Sequence, residues 1–288
     1  MLLECLLYTE YQVMKEVPVY TVVDDKHTLI PIDCQKIDDI KDIKFYKDRL
    51  KSLWGYTEDN SISPVPTPVS MEKIHLETIH PDRYMLALKA DGMRHLLMLT
   101  RNPEGDYVGV LINRRFDMYM VAIWANEHFF ESGTIMDGEL IVNNSKSSYM
   151  LLVFDVVLMG GRSMIKEKYD KRMQCVNDVL IGLKIHDISE EALEEIISSE
   201  NKIMASSDNA IKLEILPKMC VNPRMITDLW ESKRTQPYES DGLILTPLDA
   251  PICCGTHSEM FKWKMVPTID IIITRVGRYN GKEFINSE

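Results

Sequence analysis

Lys89-Ala90-Asp91-Gly92-Met93-Arg94 is the stretch on which the reading of this chain turns. The apolar run Tyr84-Met85-Leu86-Ala87-Leu88 leads into it and a second, His95-Leu96-Leu97-Met98-Leu99, leads out. Each run reads as a strand, so a charged hexapeptide with an Asp-Gly turn joins two expected strands. Lysine is rarely buried unless paired. An amine held among other cations and away from water gives up its charge and becomes a nucleophile. The plainer alternative is a surface hairpin with Asp-Gly in its turn and a solvated lysine. Six residues do not choose between the two; the rest of the chain does.

The formal net charge is -11 over 288 residues, which excludes a binder of nucleic acid through its overall field and leaves only a local basic groove for such a partner. Composition is that of an ordinary globular chain with material for a sizeable core. Cysteines stand singly at 5, 34, 175 and 220 and adjacent at 253 and 254, with no Cys-x-x-Cys pair and no zinc-like Cys/His spacing. Free thiols in a reducing, intracellular compartment are expected. The opening Met-Leu-Leu-Glu-Cys-Leu-Leu-Tyr carries an early acid and no basic n-region, so it does not read as a signal peptide. The longest apolar run, Tyr149 to Leu158, is broken by Asp155 and too short to span a bilayer, and no membrane partner is expected.

Upstream of the hexapeptide, Val17 to Val23 and Thr28 to Ile32 read as strands around an Asp24-Asp25-Lys26 turn. Ile43, Tyr46, Leu50, Leu53 and Trp54 share a helical face that Gly55 can end. The proline-rich Ser61 to Pro68 reads as a linker or strap, and Ser70 as the cap of a short helix with Ile74 and Ile79 inward. Downstream, Tyr107 to Ile112, Met118 to Ile123, Gly138 to Val142 and Tyr149 to Leu158 read as strands. A helix with Tyr169, Met173, Val176, Leu180 and Leu183 at core spacing follows, then an acidic helix burying Leu193, Ile196 and Ile197. Ile211 to Leu216, Gly242 to Leu245 and Ile269 to Thr274 read as strands, and Asn222-Pro223 opens a helix with Ile226, Leu229 and Trp230 apolar. Helices and strands mix without strict alternation, which predicts an antiparallel-rich α+β fold.

Further stretches set a charge at the edge of an apolar strand. They are Asn113-Arg114-Arg115, Asp137-Gly138-Glu139-Leu140, Val153-Phe154-Asp155, Ser240-Asp241-Gly242-Leu243-Ile244 and Phe261-Lys262-Trp263-Lys264. Together with the Lys89 hexapeptide, this ordered series resembles the covalent nucleotidyltransferases: DNA ligases, RNA ligases and messenger RNA capping enzymes. It matches the motifs usually numbered I, III, IIIa, IV and V. Asp241-Gly-Leu-Ile followed by Thr246-Pro247, where ligases carry Glu-Gly, is similar to the capping branch, as are Phe261-Lys-Trp-Lys, Thr268-Ile269-Asp270 and Pro68-Val-Ser-Met-Glu. The resemblance runs from about Pro68 to Thr274. It implies an ATP-grasp-like nucleotidyltransferase domain over 68–268, preceded by an extension, 1–67, that packs on it, and followed by the start of an incomplete OB-fold over 269–288. It looks closest to small viral and eukaryotic enzymes.

The resemblance implies that Lys89 attacks the α-phosphorus of GTP, forming lysyl-GMP and releasing pyrophosphate, and that GMP then passes to a 5′-diphosphate RNA end. Arg94 and Arg114 are implied in ribose and phosphate contact, with Arg115 a one-residue alternative to Arg114, since on a strand only one of them faces the pocket. Glu139 is implied at the ribose, with Asp137 on the same strand face, so the two carboxylates need a metal or a cation between them. Phe154 is implied to stack on the purine, or else is a core phenylalanine, and Asp155 is a turn acid or a structural partner. Lys212 stands near where the family reads guanine, a fit for O6 and N7 acceptors. Asp241 and Glu139 are implied ligands of Mg²⁺ or Mn²⁺, which takes one or two carboxylates plus phosphate. Lys262 and Lys264 share a strand face, with Trp263 on the other, and would stabilise charge at the α-phosphoryl group and favour the neutral form of the Lys89 amine.

Glu288 follows too soon for a five-stranded barrel to fit, so a truncated chain or a lid from another chain is expected, with weak or absent attack on GTP by this chain alone. An RNA triphosphatase and a cap methyltransferase are possible companions, and the setting implied is the nucleus or a viral replication compartment. The rivals are an ATP-dependent RNA or DNA ligase, and a remnant that binds nucleotide or RNA without chemistry.

Overall fold

Two sheets rich in antiparallel pairs meet where the chain passes through Asp91-Gly92. The computed structural model describes residues 35–55, 64–143, 148–180, 203–205, 213–265, 273–279 and 282–287. The strands expected at 17–23 and 28–32, the acidic helix near 187–197, Lys212 and the Thr268-Ile269-Asp270 stretch lie outside those residues.

The larger sheet runs Gln35–Lys36, Met118–Val121, Tyr107–Asn113, Met93–Arg101, Thr134–Asn143, Ser148–Met159, Arg162–Ser163, with Leu213–Pro217 added parallel to Ser148–Met159. Its central strands are apolar at nearly every position because both faces are covered. Leu97, Leu99, Leu111 and Met136 pack under helix Tyr169–Val179, against Tyr169, Met173 and Val176. Leu96, Met98, Val110 and Ile112 pack under helix Ile40–Trp54, against Tyr46, Leu50 and Trp54. That helix has the face its sequence predicts. Asp39 Oδ1 accepts from the Lys41 amide at 2.6 Å to start it, and Gly55, at φ +80°, ends it.

The smaller sheet runs Pro66–Ser70, Gly255–Lys264, Ser240–Pro247, Tyr84–Ala90. The expected proline strap is therefore its edge strand, paired parallel to Gly255–Lys264, an edge being where proline's missing donor is tolerated. Ser70 does not cap a helix. A 3-10 turn, Lys73–Glu77, follows with Glu72 at its cap, and Ile74 is 67% exposed while Ile79 is buried, because so short a turn has no inward stripe. Asn222 opens the later helix as expected, accepting from the Arg224 amide at 2.9 Å ahead of Ile226–Ser232, whose Ile226 and Leu229 pack beneath this sheet.

The two runs flanking the hexapeptide are not a hairpin. Tyr84–Ala90 pairs with Ser240–Pro247 in the small sheet, and Met93–Arg101 pairs with Tyr107–Asn113 and Thr134–Asn143 in the large one. Asp91-Gly92 is a crossing between sheets. It passes so close to strand Thr134–Asn143 that a Cβ on Gly92 would lie 2.4 Å from Ile141 Cγ2 and 2.5 Å from the Leu140 carbonyl oxygen. Near the end of the chain, Ile273–Tyr279 and Lys282–Ser287 pair antiparallel. No helix among the described residues is long and apolar enough to cross a membrane.

Candidate active site

Strict alternation divides the small sheet. Met85, Ala87 and Lys89, then Ile244 and Thr246, then Met260, Lys262 and Lys264 line a cavity of 840 Å³. Leu86, Leu88, Leu243, Leu245 and Phe261 turn the other way, into a cluster that includes Ile226, Leu229 and Trp263. Lys89 stands opposite Gly242, and Gly242 opposite Lys264, so the two amines belong to one transverse row. A side chain at Gly242 has no room there: a Cβ would lie 1.9 Å from the Trp263 carbonyl oxygen.

Asp241 is aimed at this row by a β-bulge. Ser240 pairs with Ala90 and Gly242 with Lys89, which leaves Asp241 as the extra residue. Its Oδ1 accepts from Lys89 Nζ at 2.7 Å and its Oδ2 lies 3.3 Å from Lys264 Nζ. Lys89 is expected near other cations, and it has Lys264 in its row, but not cations alone. Its nearest charged partner is a carboxylate, because the bulge turns Asp241 to the face that regular alternation would deny it.

The large sheet supplies the opposite wall. Arg94 is paired in register with Glu139, and Asp137 lies two residues earlier on the same face. The cation required between the two carboxylates is Arg94 itself. Its Nε donates to Asp137 Oδ1 at 2.9 Å, a second guanidinium nitrogen donates to Oδ2, and Nη1 donates to the Pro66 carbonyl oxygen at 2.6 Å, tying the small sheet's edge to the large sheet. Arg94 thus serves first as a strut, while still lining the cavity. Burial pushes the Glu139 carboxyl up, opposed chiefly by Lys218, and burial pushes the Lys218 amine down, opposed by Glu139.

Phe154 also sits at a bulge: Asp137 pairs with Asp155 and Gly138 with Val153, leaving Phe154 unmatched and turned to the cavity. Arg94 Cζ and Lys218 Nζ each lie 5.3 Å from its ring centroid. Asp155 is the structural partner of the two roles left open for it. It takes Arg172 Nε at 2.7 Å and Nη2 at 3.0 Å, and Arg172 is itself buried. Tyr169 steadies the same turn of strand by donating to the Phe154 carbonyl oxygen at 2.9 Å.

Arg114 and Arg115 occupy a turn, not a strand, so alternation does not separate them, and both line the rim. Asn113 Oδ1 accepts from the Arg115 and Asp117 amides at 2.9 Å each, and Phe116 takes a left-handed φ of 62° to close the turn.

Of the residues singled out from sequence, Lys89, Arg94, Arg114, Glu139, Phe154, Lys262 and Lys264 line one cavity, and Asp241 touches two of its amines. Sequence reading passed over Lys218, buried at the end of strand Leu213–Pro217. Its signal was a cation directly after a strand-ending proline. It also passed over Arg172, whose distance from Asp155 in the chain hides the pair. Seven Lys or Arg side chains line the cavity against three carboxylates, so a chain of net charge -11 does hold a local basic groove. No group of three metal-ligating side chains occurs among the described residues. Asp241 nonetheless offers hard oxygens at the wall, a fit for a divalent cation whose shell nucleotide phosphates would complete.

A family model described as mRNA capping enzyme, catalytic domain, matches residues 28–266. The chain is 29% identical over 215 residues to the mRNA-capping enzyme subunit alpha of Neurospora crassa, covering 70% of this chain and 50% of that protein. To the protein of the same name in Schizosaccharomyces pombe it is 27% identical over 252 residues, covering 81% and 58%. The chain thus spans about half the length of the curated relatives it matches. Among solved structures it resembles a mycobacterial DNA ligase D complexed with ATP and MES, at 15% identity and a TM-score of 0.41, over 75% of this chain and 64% of that one.

Proposed function

The chain belongs to the family of mRNA capping enzyme catalytic domains, and from that premise we propose that it is a guanylyltransferase that acts through a covalent lysyl-GMP on Lys89. The observation that carries this reading is the transverse row: the Lys89 amine, the Asp241 carboxylate and the Lys264 amine held together at the wall of a basic cavity of nucleotide size.

In the proposed reaction the Lys89 nitrogen bonds to the α-phosphorus of GTP, the bond from that phosphorus to the bridging oxygen breaks, and pyrophosphate leaves with the electron pair. The amine gives up its proton on attack, and Asp241, already its hydrogen-bond acceptor, is the base nearest to hand. Lys262 and Lys264 face the same space and stabilise charge on the α-phosphoryl group. Phe154 offers its ring to the purine, Lys218 lies beside that ring with donors suited to guanine, and Glu139 accepts from the ribose. Arg114 and Arg115 meet phosphate at the rim. A Mg²⁺ or Mn²⁺ ion held through Asp241, with Glu139 as a second carboxylate, would supply charge neutralisation at the phosphates. In the second step GMP passes to the β-phosphate of a 5′-diphosphate RNA. A triphosphatase and a methyltransferase would act before and after it, in the nucleus or a viral replication compartment.

Incubation with GTP and Mg²⁺ is expected to add one GMP to Lys89 in low yield, since attack on GTP by this chain alone is expected to be weak, and Lys89→Ala is expected to abolish that adduct. An adduct formed from ATP in preference to GTP would move the chain to the ligases. Tight GTP binding with no pyrophosphate release would make it a binding module.

A further inference from the structure

We propose that the flank of helix Ile40–Trp54 carrying Lys44, Lys47 and Lys51 is a docking track for the RNA acceptor, receiving the phosphates that follow its 5′ end. This rests on the guanylyltransferase reading, because that reading puts the RNA end in the cavity. Spacings of three and four residues place the three lysines on one side of the helix. Lys47 fixes which side: its Nζ lies 5.2 Å from the Phe116 ring centroid, so the flank faces the turn that carries Arg114 and Arg115. Both arginines are exposed and line the cavity rim, Lys44 is exposed, and Lys47 and Lys51 are half-buried.

The strip therefore starts at the mouth of the cavity and continues along the helix. From Lys44 to Lys51 the helix rises roughly 10 Å, enough to meet more than one phosphate of the strand. Countercharges are few on this side. Among the described residues no ion pair joins Lys44, Lys47, Lys51, Arg114 or Arg115 to a carboxylate. Asp117, the acid of the turn, is met by Lys36 at 3.7 Å. Asp42 lies round the helix from the strip, on the side where Arg49 donates to Thr100 Oγ1 at 3.0 Å, while Asp48, four residues after Lys44 and three before Lys51, is the one helix acid that borders the strip. In a chain of net charge -11, five cations leading away from the cavity suit a polyanion whose end lies inside it.

The test is fluorescence anisotropy of the whole chain with 5′-diphosphate oligoribonucleotides of two and ten nucleotides, across a salt series. The longer RNA is expected to bind at least tenfold tighter at low salt. The double variant Lys44→Glu, Lys51→Glu is expected to lose most of that gain, and to lower the salt slope by about 0.7 for each phosphate contact removed, while leaving dinucleotide and GTP binding unchanged. A charge-matched variant elsewhere on the surface, Lys166→Glu with Lys171→Glu, is expected to keep the gain. Affinity independent of RNA length, or a gain that survives Lys44→Glu, Lys51→Glu, would overturn the track. Formation of lysyl-GMP is read separately by mass. A GMP adduct without length dependence defeats the track alone, and length dependence with an adduct formed from ATP in preference to GTP defeats the guanylyltransferase reading alone.

Discussion

At the scale of single residues, the sequence disclosed identities better than aim. Lys89, Glu139, Lys262 and Lys264 were legible because a charged residue at a fixed place in an apolar strand is unusual. Asp241 reaches the cavity face only through a β-bulge, and an extra residue in a ladder leaves no trace in a single sequence. His95 shows a buried polar residue that regular alternation does explain. It follows Arg94 onto the other face, is 1% exposed, and sets its Nδ1 2.9 Å from the Met93 carbonyl oxygen. Burial pushes its pKa below 6.5. Below that value the unfolded chain takes up a proton that the folded chain refuses, so stability is expected to fall as pH drops from 6.5 toward the depressed value. His95→Gln is expected to flatten the dependence of the thermal midpoint on pH in that window. An unchanged slope would show that His95 does not set it.

At the scale of elements, the helix over 40–54 and the central strands were readable from period and caps, whereas the partners of the strands were not. Two apolar runs separated by Asp-Gly predict a hairpin by every local rule, yet a long-range partner 152 residues away, on Ser240–Pro247, takes the first of them. Gly92 makes the crossing possible, and Gly92→Ala is expected to destabilise the chain by about 1–3 kcal/mol, because a methyl there meets both Ile141 and the Leu140 carbonyl. Urea unfolding measures the loss, and the yield of lysyl-GMP should drop with it as the Lys89 and Arg94 strands shift apart. Wild-type stability in this variant would mean that the crossing has slack.

At the scale of the whole molecule, one buried arginine links the parts. Arg172, on helix Tyr169–Val179, holds Asp155 in the large sheet. It also donates to the Ala250 carbonyl oxygen at 2.8 Å, in the loop that leaves the small sheet. Arg172→Met is expected to cost about 3–5 kcal/mol by leaving Asp155 buried and unpaired. The double variant Arg172→Met, Asp155→Leu is expected to recover part of the loss in chemical denaturation, and a double as unstable as the single would assign the effect to the Ala250 contact instead. The order of the strands has a consequence for a chain still emerging from the ribosome. The neighbour of Lys89 in the ladder, Gly242, and the far side of its row, Lys264, are made long after Lys89 itself. At cellular rates of translation the gap is on the order of ten seconds. Until it has passed, the nascent protein carries Lys89 with neither Asp241 nor Lys264 made to orient it.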